Sequence, residues 1–319
     1  MDVMFYETFE EEQLELRKIF SDSKQAQFTS ETIQESRHKH PPAKLISIRT
    51  QSRVPEQWHD QLEGVLTRSQ GYDHLSDYKN RTGTKAVLGY LSEYCARSVA
   101  EHAIMSMMAL QQKLKEQIQS FEKFNRDGLT GQECLNKNAL VVGVGNIGSH
   151  IADMARGLRM NTKGVDVCHK VDGLEYVSLD DGLKDADVVF CALPLTDQTK
   201  GLLNYDCLKQ VKKDAVLINV SRGEITPAED MKRLLDEGIL GGLAMDVFPD
   251  EKEFARCLRR GGLPADPNIK ILIELGRKDN VVFTPHNAFN TEEALVRKSE
   301  ETARAVKQFL KNKTFPTCL

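Results

Sequence analysis

Four residues within one short stretch have the types and spacing to hold a dinucleotide. Gly143, Gly145 and Gly148 lie in Val141-Val142-Gly143-Val144-Gly145-Asn146-Ile147-Gly148, a G-x-G-x-x-G pattern. The first glycine permits a tight turn, and the second lets backbone approach a diphosphate with no Cβ in the way. The third lets a helix pack closely on a strand. A helix opening there presents unpaired N–H groups and a partial positive charge to phosphate oxygens. Asp166 follows Gly148 by 18 positions, close to the offset at which a carboxylate takes the ribose hydroxyls. A carboxylate there repels a 2′-phosphate, and no arginine follows within Val167-Cys168-His169, so NAD is expected over NADP. Such a turn alone is weak evidence. Its weight comes from its setting, after a strand, before a helix, and ahead of a second strand that ends at Asp166.

In an open parallel sheet, ligands bind beyond the carboxyl ends of the strands. Polar residues collect at those ends. Leu193-Pro194-Leu195-Thr196 follows one apolar run, Ser221-Arg222-Gly223-Glu224 the next, then Asp246 with Glu251 five residues on, and finally Pro285-His286-Asn287. A guanidinium can fork onto a carboxylate and an adjacent carbonyl. An imidazole can give or take a proton, and a nearby carboxylate fixes its orientation and favours its charged form.

The elements that must position these groups read as follows. Val3–Tyr6, Leu45–Arg49, Val65–Arg68 and Ala86–Tyr90 are expected strands, with an amphipathic helix over Phe9–Phe20. Ser98–Phe124 has no glycine or proline and reads as one long helix, apolar enough in part to be buried between domains or subunits. Six further strands are expected at Ala139–Val142, Thr162–Val165, Asp187–Ala192, Ala215–Val220, Gly242–Met245 and Val281–Thr284. Helical segments separate them, the rhythm of a doubly wound six-stranded sheet. Asp250–Asp279, with Gly261-Gly262 and two prolines, reads as a long connection with some helix. Asn290 is the expected N-cap of the last helix, with Glu293 three residues on and Leu295, Val306, Phe309 and Leu310 toward a core.

The strand-end motifs Asn219-Val220-Ser221-Arg222-Gly223, Ala244-Met245-Asp246-Val247-Phe248 and Thr284-Pro285-His286-Asn287-Ala288-Phe289 resemble the D-isomer-specific 2-hydroxyacid dehydrogenase family, its D-lactate dehydrogenase branch above all. Thr67–His74 and Tyr94–His102 resemble its substrate-loop and hinge segments, so the likeness runs from about Gln61 onward. The resemblance implies an α/β chain of two Rossmann-like doubly wound parallel-sheet domains with a cleft between them. Residues 1–99 with 288–319 would bind substrate and 100–287 would bind NAD. It implies a catalytic trio of Arg222, Glu251 and His286 reducing a 2-keto acid with NADH. The family often has proline after this glutamate; here Lys252 stands there, and Asp250 and Glu253 are alternatives to Glu251. It implies a cofactor pocket of Gly143, Gly145, Asn146, Ile147, Gly148, Asp166, Leu193, Pro194, Thr199, Val220, Ser221, Arg222 and Asp246. Gln70, Gly71, Tyr94 and Arg222 would bind substrate, with Tyr94 divided between that role and packing. A homodimer is also implied. Formate dehydrogenases resemble the family but carry glutamine at the glutamate position, which Glu251 argues against. Phosphite oxidation and an NAD(H)-sensing corepressor-like role are the alternatives.

Bulk properties agree. The 319 residues are 40% hydrophobic and 28% charged, enough for a core and for one large or two medium domains. Net charge is −4 and no Lys/Arg block is present, so a nucleic acid is not an expected partner. No apolar run approaches the roughly 20 residues that span a bilayer, and no signal peptide is visible. Seven scattered cysteines without a CxxC suggest reduced thiols in a cytoplasmic protein, without disulfides or a metal site.

Overall fold

The computed structural model describes residues 1–22, 25–260, 264 and 266–319, with the side chains of Lys252 and Arg260 left aside. Gly261 and Gly262 lie outside the described residues. The chain divides into two compact units, Met1–Cys95 with Asn290–Leu319, and Ala96–Phe289.

In the first unit the strands are β1 (Val3–Phe5), β2 (Ala26–Phe28), β3 (Leu45–Ile48), β4 (Gly64–Thr67) and β5 (Val87–Tyr90). Helices α1 (Glu10–Ile19), α2 (Ile33–Ser36) and α3 (Asp73–Thr82) run between them. All pairings are parallel, in the order β2-β1-β3-β4-β5. Strands buried on both faces need continuous apolar runs, and Ile46, Ile48, Val65 and Leu66 are fully enclosed. β2 has only three residues and no apolar run, which is why the sequence does not announce it.

Helix α1 buries a carboxylate. Glu12 is wholly enclosed and paired with Arg68 (Nε to Oε1, 2.9 Å) and Lys298 (Nζ to Oε1, 2.6 Å), both as deeply buried. Arg68 also donates to Ser47 Oγ (3.1 Å) and the Tyr6 carbonyl (2.7 Å). Burial by itself would raise the Glu12 carboxyl; Arg68 and then Lys298 overcome it and hold it at about 2. Burial pushes the Lys298 ammonium down to about 7, against the pull of Glu12.

The second unit holds helices α4 (Ala96–Gln111), α5 (Leu114–Ser120), α6 (Asn146–Gly157), α7 (Leu179–Lys184), α8 (Tyr205–Leu208), α9 (Ala228–Asp236), α10 (Glu251–Arg260) and α11 (Pro267–Leu275). Its strands are β6 (Asn138–Val142), β7 (Asn161–Val165), β8 (Glu175–Tyr176), β9 (Val188–Cys191), β10 (Ala215–Asn219), β11 (Leu240–Met245) and β12 (Val281–Phe283). The order is β12-β11-β10-β9-β6-β7-β8, all parallel. The sheet thus has seven strands, one more than expected, because the two-residue edge strand β8 carries no apolar run.

Two further expectations need correcting. The single helix over Ser98–Phe124 is broken at Lys113, whose φ is +52°. The segment that follows competes for the helix end. Gln132 N donates to the Gln111 carbonyl (2.9 Å), Cys134 Sγ to Gln111 Oε1 (3.0 Å), and Lys113 Nζ to the Gly128 carbonyl (2.7 Å). The last helix, α12 (Glu292–Asn312) of the first unit, is capped by Thr291, not Asn290. The chain is still extended at Thr291, whose hydroxyl accepts from Ala294 N at 3.2 Å. Val306 and Phe309 face the core, while Leu310 is 39% exposed. Among the described residues no helix is long and apolar enough to cross a membrane, and no group of ligating side chains could hold a metal ion.

Candidate active site

The glycine turn between β6 and α6 has the backbone its spacing demands. Gly143 has φ +94°, and a Cβ there would stand 2.7 Å from the Ala192 backbone. A Cβ on Gly148 would meet the Gly143 carbonyl at 1.8 Å, so helix and turn pack without side-chain room. At Gly145 a Cβ would meet nothing within 4 Å. That open space lies at the N-terminus of the twelve-residue α6, where Asn146, Ile147 and Gly148 form the first turn. Backbone N–H groups there have no intrahelical acceptor, so the turn fits a diphosphate. Asp166 closes the other side. Its carboxylate accepts from Val144 N (2.7 Å) and Cys168 N (2.8 Å). Each oxygen has a second lone pair, leaving capacity for a pair of ribose hydroxyls.

These contacts suit a dinucleotide without a 2′-phosphate. For Asp166→Ser, the ratio of NADPH to NADH dissociation constants, read by nucleotide fluorescence, is expected to fall about tenfold or more, because charge-assisted bonds contribute about 1.5–3 kcal/mol. An unchanged ratio would place the ribose carboxylate elsewhere.

The loop after β9 is tied to the turn after β10. Ser221 Oγ donates to the Leu193 carbonyl. Thr199 Oγ1 donates to the Pro194 carbonyl (2.6 Å), and Thr196 N donates to Thr199 Oγ1 (2.8 Å). Val220 and Ser221, the two residues before Arg222, are buried. Asn219, not singled out from sequence, shapes that turn. Its Nδ2 donates to the Arg222 carbonyl (2.9 Å) and its Oδ1 accepts from Ser221 N (3.0 Å). A polar residue closing an apolar strand was the available signal. Arg222 is half-buried, and its Nη1 donates to the Ser221 carbonyl (2.8 Å). Gly223 admits the neighbouring loop, since a Cβ there would stand 2.2 Å from Phe248 and Pro249 backbone.

That neighbouring loop carries Glu251 at the start of α10. Its Oε1 accepts from Phe248 N (3.1 Å), and its Oε2 lies 2.7 Å from His286 Nδ1. A carboxylate can only accept, so Nδ1 carries the proton and Nε2 is the nitrogen left for chemistry. Both side chains are about one-third exposed, 35% and 37%. Of the alternatives, Glu253 is engaged by Arg256 (2.7 Å) and Asp250 is exposed.

His286 sits in a strained turn. Its φ is +51°, and its N–H bonds back to the Thr284 carbonyl (3.0 Å). A non-glycine residue holds such a conformation only when its surroundings over-determine it. Asp246 does so. Its Oδ1 accepts from Thr284 Oγ1 (2.6 Å) and Asn287 N (2.9 Å), and its Oδ2 accepts from Ala288 N (2.9 Å). The Asp246 carboxylate is therefore a structural clamp on the turn as well as a strand-end group.

The remaining expected residues lie in the first unit. Gln70 and Gly71 are half-buried on the loop after β4. Ser69 Oγ donates to the Gly71 carbonyl (2.7 Å), and Cys95 Sγ lies 3.6 Å from Gln70 Oε1. Tyr94 is 4% exposed, its ring 5.8 Å from Lys298 Nζ, and burial raises its hydroxyl well above the ordinary range.

Comparison with known proteins bears on the family of the chain. A family model described as D-isomer specific 2-hydroxyacid dehydrogenase, NAD binding domain, matches residues 103–288. A D-specific alpha-keto acid dehydrogenase of Enterococcus faecium is 30% identical over 247 residues, covering 75% of this chain and 73% of that protein. A D-lactate dehydrogenase of Escherichia coli is 29% identical over 259 residues, covering 79% and 77%. The crystal structure of the Aquifex aeolicus D-lactate dehydrogenase, complexed with NAD and lactic acid, superposes with a TM-score of 0.85 at 29% identity. It covers 97% of this chain and 96% of that one.

Proposed function

This chain belongs to the family of D-isomer-specific 2-hydroxyacid dehydrogenases, NAD-dependent oxidoreductases, and on that footing we propose that it reduces a 2-keto acid to a D-2-hydroxy acid of the lactate type. The observation that carries the reading is the 2.7 Å contact between His286 Nδ1 and Glu251 Oε2. It leaves Nε2 as a proton donor in reduction and an acceptor in oxidation. NADH, when bound, supplies the hydride that adds to C2 of the keto acid. Arg222 holds the substrate carboxylate and draws electron density toward the ketone oxygen. As that oxygen gains negative charge, the proton on His286 Nε2 passes to it, and solvent returns a proton to the imidazole. Glu251, accepting from Nδ1, keeps the ring oriented. Backbone N–H groups of Gln70 and Gly71 are the proposed further donors to the substrate carboxylate. Leu193, Pro194, Thr199, Val220 and Ser221 are the proposed wall of the nicotinamide pocket.

The test is NADH oxidation with pyruvate, 2-ketobutyrate, 2-ketoisocaproate, phenylpyruvate, hydroxypyruvate and glyoxylate, followed by chiral analysis of the product. NAD reduction by phosphite is run beside it. Turnover with a keto acid and a D product is expected; no turnover with any keto acid would sink the reading.

A homodimer completes the proposal. Leu114, Ile118 and Phe121 recur along one face of α5 and its continuation, and they are 48%, 65% and 74% exposed, with Phe124 at 72%. A two-fold axis lets one such face cover its own copy. Light scattering is expected to give the mass of two chains, falling to one for Phe121→Glu/Phe124→Glu. A monomeric parent protein would overturn this.

A further inference from the structure

We propose that His102, on α4, is a positioning residue for His286, acting through the Thr284 hydroxyl and the Asp246 carboxylate. His102 Nε2 lies 3.0 Å from Thr284 Oγ1 and 3.9 Å from Asp246 Oδ1, with its side chain 16% exposed. The direction of each bond follows from valence. Thr284 has one hydroxyl proton, and the 2.6 Å contact to an acceptor-only carboxylate commits it to Asp246. Thr284 Oγ1 can then only accept from the imidazole, so His102 carries a proton on Nε2. The chain of donors runs from His102 to Thr284 to Asp246. Asp246 in turn receives Asn287 N and Ala288 N, the two amides that follow His286.

This arrangement has a mechanical purpose. The left-handed backbone at His286 is unfavourable for an L residue. Relaxing it would swing the imidazole away from Glu251, and a displacement of about 1 Å at a reacting group can cost about a hundredfold in rate. Asp246 anchors the turn downstream of His286, and Thr284 anchors it upstream. His102 is the group that fixes the Thr284 rotor, since without its N–H the hydroxyl loses one of two partners. α4 contacts β10, β11 and β12, and its Ala103 and Met107 are fully buried, so the anchor point belongs to a closely packed helix.

The inference rests on His286 being the acid–base group, so its test includes a measurement that needs no turnover. Long-range 1H–15N correlation on 15N-histidine protein is expected to show His102 protonated on Nε2. Protonation on Nδ1 alone would mean that Thr284 gives its proton to His102, and would overturn the proposal. In kinetics, His102→Phe is expected to lower kcat tenfold to a hundredfold with the KM for keto acid and the Kd for NADH changed less than threefold. His102→Gln, whose Nε2 donor sits the same number of bonds from the backbone, is expected to restore kcat to within threefold of the parent. Thr284→Val should match His102→Phe, and the double variant should lose no more than either. If His102→Phe does not fold, Thr284→Val carries the same kcat-against-KM test. Unchanged kcat in the removal variants, or a glutamine variant as impaired as phenylalanine, would overturn the assignment. A parent enzyme without turnover would defeat the functional reading, while the tautomer measurement still judges the donor chain.

Discussion

Replacing His286 by alanine is expected to lower kcat by about 10²–10⁴-fold, the usual contribution of a placed general acid–base, while NADH binds within about twofold of the parent. That loss corresponds to about 2.7–5.5 kcal/mol of transition-state stabilisation. The separation of the two effects follows from the structure. His286 contacts Glu251 through Nδ1, whereas the glycine turn and Asp166 use no atom of the β12 turn. Glu251→Gln is expected to cost less, since an amide oxygen can still accept from Nδ1 but no longer balances the imidazolium. Steady-state kinetics with the best keto acid and titration of NADH fluorescence check both. Loss of NADH affinity in His286→Ala would make the residue a structural part of the turn, and undiminished kcat would remove it from the chemistry.

The second large effect is on stability. Glu12→Ala leaves Arg68 and Lys298 buried without their carboxylate, and breaking a buried ion pair in this way costs about 3–5 kcal/mol. Against a typical stability of about 5–15 kcal/mol, that is enough to lower the unfolding midpoint of the unit built from Met1–Cys95 and Asn290–Leu319 visibly. Urea unfolding of the parent and variant measures it. A change below about 1 kcal/mol would mean that relaxation and water already compensate the pair. The parent protein should also show the pair in acid. Glu12 titrates at about 2 in the folded chain against 4.5 for the free group, so its contribution is complete above 4.5 and disappears as pH falls toward 2. Lys298 acts at the other end. Its folded value of about 7 lies below the ordinary 10.5, so the unfolded chain binds the proton more readily and stability rises as pH climbs from 7 toward 10.5.

What could be read along the chain, and what could not, divides at the range of the interaction. The glycine turn was legible because its demands are local. Positive φ at Gly143, open space at Gly145 and a carbonyl against Gly148 are each met within a few residues or by an adjacent strand. The apolar runs of β6, β9 and β10 were legible for the same reason, since strands buried on both faces must be continuously apolar, whereas β7 (Asn161-Thr162-Lys163-Gly164-Val165) has neither an apolar run nor two buried faces. Short edge strands such as β2 and β8 carry too few residues to show a pattern. The break at Lys113 was invisible because residues 128–134, far along the chain, supply the bonds that end the helix.

The family, the parallel α/β architecture, the glycine turn and the residue types at the strand ends are thus written along the chain. Which charges meet is settled only on folding. Glu12 and Arg68 are 56 positions apart, His102 and Thr284 are 182 apart, and Glu251 and His286 are 35 apart. A carboxylate or a histidine within a helix looks the same in sequence whether water or a guanidinium faces it. Burial makes the difference, because a desolvated charge persists only where folding brings it a partner. The strained backbone at His286 has the same origin, since proline and asparagine on either side permit such a turn but Asp246, reached from the neighbouring strand, holds it.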